Sequence, residues 1–411
     1  MYSELINELK NGAVLTESLK AVADSFSINT LILIFMMIFT VVGAVDKIRG
    51  NKNGYGEKFD EAFHTMGPLA IAMVGVITMV PIIQLTLEPL IAPVYTFFGA
   101  SPAMFAGTVL PIDAGAYPLA MQMAGDDQAI GNFSGLILGG TFGMIITALV
   151  PLALTILRKE DQPFFAAGVL VALITIPLGC VAGGLVMNLT PYKMSLSRIM
   201  INLVPVIIVS ILIALGLIFK PRSVMNGFSV FGRAFGVLLT ISTTLAIVQF
   251  VTGLRLPLFH LMVDAPTPDS LSPLMESIFV VGTIALMLTG AFPMVHWITT
   301  TFQKPLAALG HRLGMNEVGS AGLFAGLANL IPTLNTAKDM NDKAKFLNIA
   351  FGVSASFVFG DHLGFTASMN QEMIFPMIVG KLVAGITALL LAHRLSSFLL
   401  PRISKSGTNE V

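Results

Sequence analysis

The stretch at residues 101–127, SPAMFAGTVLPIDAGAYPLAMQMAGDD, constrains the fold more than any other part of the chain. It begins as an apolar helix over residues 102–110, breaks across 111–118, and resumes as a short apolar piece over 119–124. A helix of about nine to eleven residues reaches only ~15 Å, about half of a ~30 Å hydrocarbon core. Pro111, Gly115 and Pro118 prevent one continuous hydrogen-bonded span. Backbone opened in this way persists at membrane depth only where protein or a water-filled cavity satisfies it. One acid, Asp113, stands in the opening. A broken apolar helix around a single acid is a device by which a polytopic chain builds a solute site.

The rest of the chain supplies the membrane context. Of its 411 residues, 55% are hydrophobic and 11% charged, against about 25% charge in a soluble domain. This is an all-α polytopic membrane protein. Net charge is zero, so nothing suggests nucleic acid as a partner, and no motif calls for a cofactor or a metal. The lone cysteine, Cys180, has no intrachain disulfide partner and reads as a small packing residue. Residues 1–27 lack the apolar core and cleavage site of a signal peptide. Leu5, Leu9, Leu15, Leu19, Val22 and Phe26 share one helical stripe there, which predicts an amphipathic helix lying on the bilayer.

Apolar runs predict spans at residues 28–45, 64–87, 130–157, 164–187, 199–219, 228–251, 275–302, 346–365 and 373–392. That gives about nine crossings, or about eleven if the two broken stretches also cross. The second broken stretch is 318–338. Lys47, Arg49, Lys52, Lys58, Arg158, Lys159, Lys220, Arg222, Lys304 and Arg312 fall on one side if the broken stretches re-enter, as do Arg394, Arg402 and Lys405. The positive-inside rule then places the N-terminus outside and the C-terminus in the cytoplasm. Lys193, Arg198 and Arg255 are exceptions on the other side.

The chain also repeats itself. Glu88-Pro89-Leu90 is echoed by Lys304-Pro305-Leu306, and the row Gly135, Gly139, Gly143 by Gly352, Ser356, Gly360, about 217 residues on. Met104-Phe105-Ala106-Gly107 is echoed by Leu323-Phe324-Ala325-Gly326. An odd number of crossings between the units makes them inverted, the pattern of transporters whose site lies where the breaks meet. The organisation expected is an interfacial helix at 1–27, a first repeat at 28–190, a linking span at 191–227, a second repeat at 228–395 and a cytoplasmic tail at 396–411.

Several of these segments resemble the ethanolamine-utilisation permease family of bacteria. The resemblance runs over residues 44–392. Phe59-Asp60-Glu61-Ala62-Phe63, Met66-Gly67-Pro68-Leu69-Ala70, Met104-Phe105-Ala106-Gly107-Thr108 and Asp113-Ala114-Gly115 carry part of it. The longer runs Ile176-Pro177-Leu178-Gly179-Cys180 and Gly360-Asp361-His362-Leu363-Gly364-Phe365-Thr366-Ala367 are its more specific signatures. The N-terminal helix is longer than the family leads one to expect. The resemblance implies a multi-pass permease of the bacterial inner membrane with ethanolamine as substrate.

Ionisable groups inside the apolar segments are few: Glu88, Asp113, His296, Asp361, His362 and Lys381. Each costs roughly 2.5 kcal/mol or more at the bilayer centre and so needs a partner or a role. Asp113 is expected to hold the solute's ammonium; the structural alternative is a helix cap. Asp361 and His362 form the second acid site, or pair with each other or with Lys381. Asn329, Thr333 and Asn335 lie where the repeat places the partner of Asp113, suited either to a hydroxyl or to broken backbone. Tyr117, Phe365 and Trp297 offer aromatic faces to a cation, against the commoner role of packing.

A transporter working by facilitated diffusion or ion-coupled alternating access is the function these residues favour, and the resemblance implies ethanolamine as its solute. The alternatives are a carrier of another small amine or amino-acid-like solute, and an intramembrane aspartyl hydrolase. The last departs from its own pattern, with Ile112 before the first acid and Val358 where a glycine should stand. A coupling proton (H+) or sodium ion (Na+) and a homodimer are partners that the sequence leaves open.

Overall fold

The computed structural model describes residues 12–24 and 26–408, and all regular structure among them is helical. Helix α1 (Gly12–Asp24) buries no side chain. It carries Leu15, Leu19 and Val22 of the amphipathic stripe, all exposed, while Leu5 and Leu9 lie outside the described residues. Helix α2 (Ile28–Ile48) starts where the Ser27 hydroxyl accepts a hydrogen bond from the Thr30 amide at 3.2 Å. Helices α3 (Tyr55–His64), α4 (Met66–Thr86) and α5 (Glu88–Phe97) follow, and then the first broken pair, α6 (Met104–Val109) and α7 (Ala116–Ala124). Three long helices come next, α8 (Gln128–Ile156), α9 (Gln162–Val186) and α10 (Leu196–Phe219).

Helix α11 (Pro221–Thr252) leads to α12 (Pro273–Thr301) and the short α13 (Gln303–Arg312). The second broken pair is α14 (Glu317–Ala328) and α15 (Leu330–Asn335). Helices α16 (Asp342–Ala355), α17 (Asp361–Met369) and α18 (Ile374–Thr408) end the described chain. Eight helical stretches among the described residues are long and apolar enough to cross a membrane. They coincide with eight of the nine predicted spans.

The ninth, 346–365, is not continuous. It divides at residues 356–360 into α16 and α17, and Phe357 there takes a positive φ of 62°. The amides of Phe357 and Phe359 donate to the carbonyls of Gly326 (3.3 Å) and Leu327 (3.2 Å), at the end of α14. Two breaks therefore satisfy each other's backbone, as an apolar interior demands. Helix α18 runs on past the last predicted span, through the first part of the expected tail, to Thr408.

Element order recurs along the chain. A long helix, a short one, a broken pair and two further helical stretches run from α4 to α9, and again from α12 to α18. Glu88-Pro89 and Lys304-Pro305 both lie in the first turn of the short helix. In packing, α9, α16 and α18 form one layer over their own core, while α2, α3 and α4 gather on α12 and α11 lies along α4.

The glycine row of α8 lies on the first break. A β-carbon on Gly135 would stand 2.6 Å from the Tyr117 Cα, and one on Gly139 2.7 Å from the Ala116 Cβ. One on Gly143 would collide with the Leu110 carbonyl. Gly352 and Gly360 lie against Leu330 and Ala328 at the second break in the same manner. The predicted close approach of small residues is thus present, and its partners are the broken segments.

Candidate solute site at the helix breaks

Between α6 and α7 the chain runs from extended Pro111 through one tight turn, Ile112–Ala114, to Gly115 at φ 93°. Only glycine takes that conformation without strain, and Val76 of α4 fills the space a side chain would need. Asp113 sits half-buried in this turn. Helix α17 packs against the same turn. Its first residue, Asp361, is half-buried, and its second, His362, is fully enclosed. Asp113 interacts electrostatically with both Asp361 and Lys381. The two acids singled out from sequence thus come from two different breaks to one place.

A cavity of about 530 Å³ leads to one of them. Half-buried Lys58 and exposed Glu61 of α3, paired at 2.6 Å, stand at its mouth with the exposed Gln303 and Glu317. Its walls include Phe292, Thr299, Ser320 and Phe324, and Ala328, Asn329 and Asp361 line its inner end. Asp113 does not line it. The acid in contact with the cavity is Asp361, which sequence reasoning ranked second.

The other expected residues divide. Asn329 lines the cavity while its side-chain oxygen caps α15, accepting from the Ile331 amide at 2.9 Å. Thr333 is buried and donates its hydroxyl to the Gly322 carbonyl at 2.9 Å, so its role there is to join α15 to α14. Asn335 is exposed at the end of α15 and away from the cavity. Tyr117 of α7 and Phe365 of α17 meet edge to face at 6.5 Å. Trp297 packs instead among Phe35, Phe39 and Phe302. His362 stacks on Phe357 at 5.5 Å, and its buried Nδ1 has no hydrogen-bond partner among the described residues.

From the sequence, Lys381 of α18 is one of the membrane ionisable groups and a pairing partner for Asp361 or His362. It is fully buried, and its ammonium donates to the Gly140 carbonyl of α8. Residues Phe133–Gly143 of α8 are wound as a π-helix, a rare form that recurs at functional sites. A β-carbon on Gly140 would stand 3.6 Å from His362 Nδ1, 3.8 Å from Lys381 Cδ and 3.9 Å from Ile112 Cδ1. Both breaks and α18 therefore converge on this glycine. The available signal was the lysine itself, in the otherwise apolar run IFPMIVGKLVAGITALLL.

A multi-pass helical membrane protein with its acids gathered at helix breaks is the class that fold and site define. Within that class the chain belongs to the family of the ethanolamine utilisation protein EutH, which it matches over residues 28–395. The resemblance read from the motifs is borne out. The chain is 48% identical to the probable ethanolamine permease EutH of Listeria monocytogenes, over 88% of this chain and 92% of that protein. It is 42% identical to the protein of that name from Escherichia coli, over 88% and 94% of the two chains. A Bacillus subtilis relative named as the uncharacterized protein YxeR is 41% identical over 88% and 93%. No solved structure matches the chain.

Proposed function

We propose that the chain is a permease for ethanolamine in the bacterial inner membrane and that Asp361, at the inner end of the cavity, receives the solute's ammonium. The observation that carries this reading is the cavity of about 530 Å³ ending on a half-buried carboxylate beside a helix break. An ammonium placed against a carboxylate there forms charge-assisted hydrogen bonds, roughly twice as strong as neutral ones. Asn329, beside Asp361, offers an amide to the hydroxyl. The names of the relatives support ethanolamine as the solute.

The two units are inverted repeats. Pairing of equivalent helices supports this, since α4 packs on α12 and α9 on α18. The cavity mouth lies among Lys58, Gln303 and Glu317, on the side rich in Lys and Arg, and so opens to the cytoplasm. The N-terminus is outside and the C-terminus cytoplasmic. An acid at this depth serves facilitated diffusion and proton- or sodium-coupled transport alike, so purified protein in liposomes under imposed gradients separates them.

The test of the reading is uptake of radiolabelled ethanolamine by such liposomes. Saturable uptake, competed by unlabelled ethanolamine and absent from protein-free liposomes, is expected. Peptide cleavage without uptake would replace this reading with the hydrolase.

A further inference from the structure

Two acids and one lysine meet at the breaks, while the solute brings a single positive charge. Lys381 has no exposed surface, and among the described residues its ammonium donates to one acceptor, the Gly140 carbonyl. A buried ammonium on a neutral carbonyl alone is costly, and it persists where carboxylates nearby balance it. Asp113, in the first break, is the acid that acts on it, and Asp361, at the start of α17, acts on Asp113 in turn. His362 lies beside the lysine stem across Gly140, with its ring against Phe357. The imidazole is fully enclosed, where a further cation would go unsolvated, and it enters the balance as a neutral group.

We propose that Lys381 is a specificity-determining residue: a fixed internal cation that balances one of the two carboxylates, leaving the site with one net negative charge and hence room for a solute with one ammonium. This deepens the permease reading and rests on it. With Lys381 in place a monocation completes neutrality, whereas a dication brings one positive charge too many. Without it, both carboxylates stand uncompensated, Asp361 on the cavity and Asp113 behind it, and a dication is the better complement. The lysine need not touch the solute. Charge acts across the short distances of a dry site, where it is screened far less than in water.

The arrangement makes the two acids unequal under substitution. Asp361→Asn removes both the charge and the group that contacts the cavity. Asp113→Asn removes charge alone, leaving Asp361 and Lys381 to cancel each other. In the latter case a second substitution, Lys381→Met, restores one net negative charge while keeping an apolar stem of similar length. Rescue is therefore expected at one acid and not at the other.

The experiment measures radiolabelled ethanolamine uptake into liposomes by wild type, Lys381→Met, Asp113→Asn, Asp361→Asn and the two double variants, with putrescine, a dication at neutral pH, as competitor. Putrescine is expected to compete at least about tenfold better against Lys381→Met than against wild type. Asp113→Asn is expected to lose uptake by at least about tenfold and to regain most of it when combined with Lys381→Met. Asp361→Asn is expected to stay inactive in the same combination. Should Lys381→Met alone fail to insert, the charge-balanced Asp113→Asn/Lys381→Met protein still decides the matter. Unchanged putrescine competition in Lys381→Met, or a folded and inactive Asp113→Asn/Lys381→Met, would overturn the proposal and reduce Lys381 to a tie between α18 and α8. Absence of ethanolamine uptake by the wild type would instead count against the permease reading itself.

Discussion

Gly143 and Gly140 lie three residues apart on the same π-wound helix, and alanine at the two positions should have opposite consequences. At Gly143 the added methyl would overlap the Leu110 carbonyl and stand 2.7 Å from that of Gly107, about 0.7 Å inside ordinary contact at 3.4 Å. Both obstacles are backbone, so no side chain can rotate aside and α8 has to move off the first break. Overpacking of this kind costs about 1–3 kcal/mol, and a pair of rigid carbonyls puts Gly143→Ala at the upper end. At Gly140 the nearest atoms are side-chain ends at 3.6–3.9 Å, an ordinary contact, so Gly140→Ala should change stability by under about 0.5 kcal/mol. Thermal unfolding of the detergent-purified proteins, followed by loss of the monodisperse chromatographic peak, compares the two. A midpoint lowered by several degrees for Gly143→Ala and near wild type for Gly140→Ala is expected. Equal midpoints would refute the close packing of α8 on the break, and with it the shape of the site.

Asp161, with a side chain only 2% exposed, pairs with Lys345 at 2.7 Å and Arg158 at 3.0 Å. Asp161→Ala leaves the nearly buried Lys345 ammonium with the more distant Asp342 at 3.8 Å and should cost about 3 kcal/mol, read as a lowered unfolding midpoint, whereas Asp161→Leu with Lys345→Met should cost less. Asp113→Glu keeps the charge in the first break and should retain part of the ethanolamine uptake that Asp113→Asn loses; equal loss in both would mean that shape, not charge, matters in the turn. A reporter active only in the cytoplasm, fused after Val411, should give signal; signal only from a periplasmic reporter would reverse the orientation and the repeat parity.

Much of this architecture was legible in the sequence because hydrocarbon allows so few solutions. Long apolar runs fixed eight continuous helices, and Pro111 with Gly115 marked the first break. The second, within 318–338, was readable because Leu323-Phe324-Ala325-Gly326 echoes Met104-Phe105-Ala106-Gly107 of the first. The break at 356–360 was not, because SASFVFGD holds no proline and its hydropathy is that of a span. The chain opens there because Gly326 and Leu327 accept the freed amides, a tertiary match that no local pattern encodes. The same holds for the site. Membrane acids announce themselves by cost, so Asp113 and Asp361 could be picked out, but which of them meets the cavity depends on how α17 lies against the turn at Ile112–Ala114. Thr333 and Asn335 were suggested by register alone; one is used to join α15 to α14 and the other faces outward.

The most direct measurement is equilibrium binding of radiolabelled ethanolamine to purified protein, wild type against Asp361→Asn, with folding of both checked by monodispersity and helical circular dichroism. A hydrogen bond to a charged group contributes about 1.5–3 kcal/mol, and each 1.4 kcal/mol is tenfold in affinity. Wild-type protein is expected to bind saturably, and Asp361→Asn to bind at least about tenfold more weakly. Wild-type affinity in a folded Asp361→Asn protein would contradict the assignment of the ammonium to the acid at the inner end of the cavity.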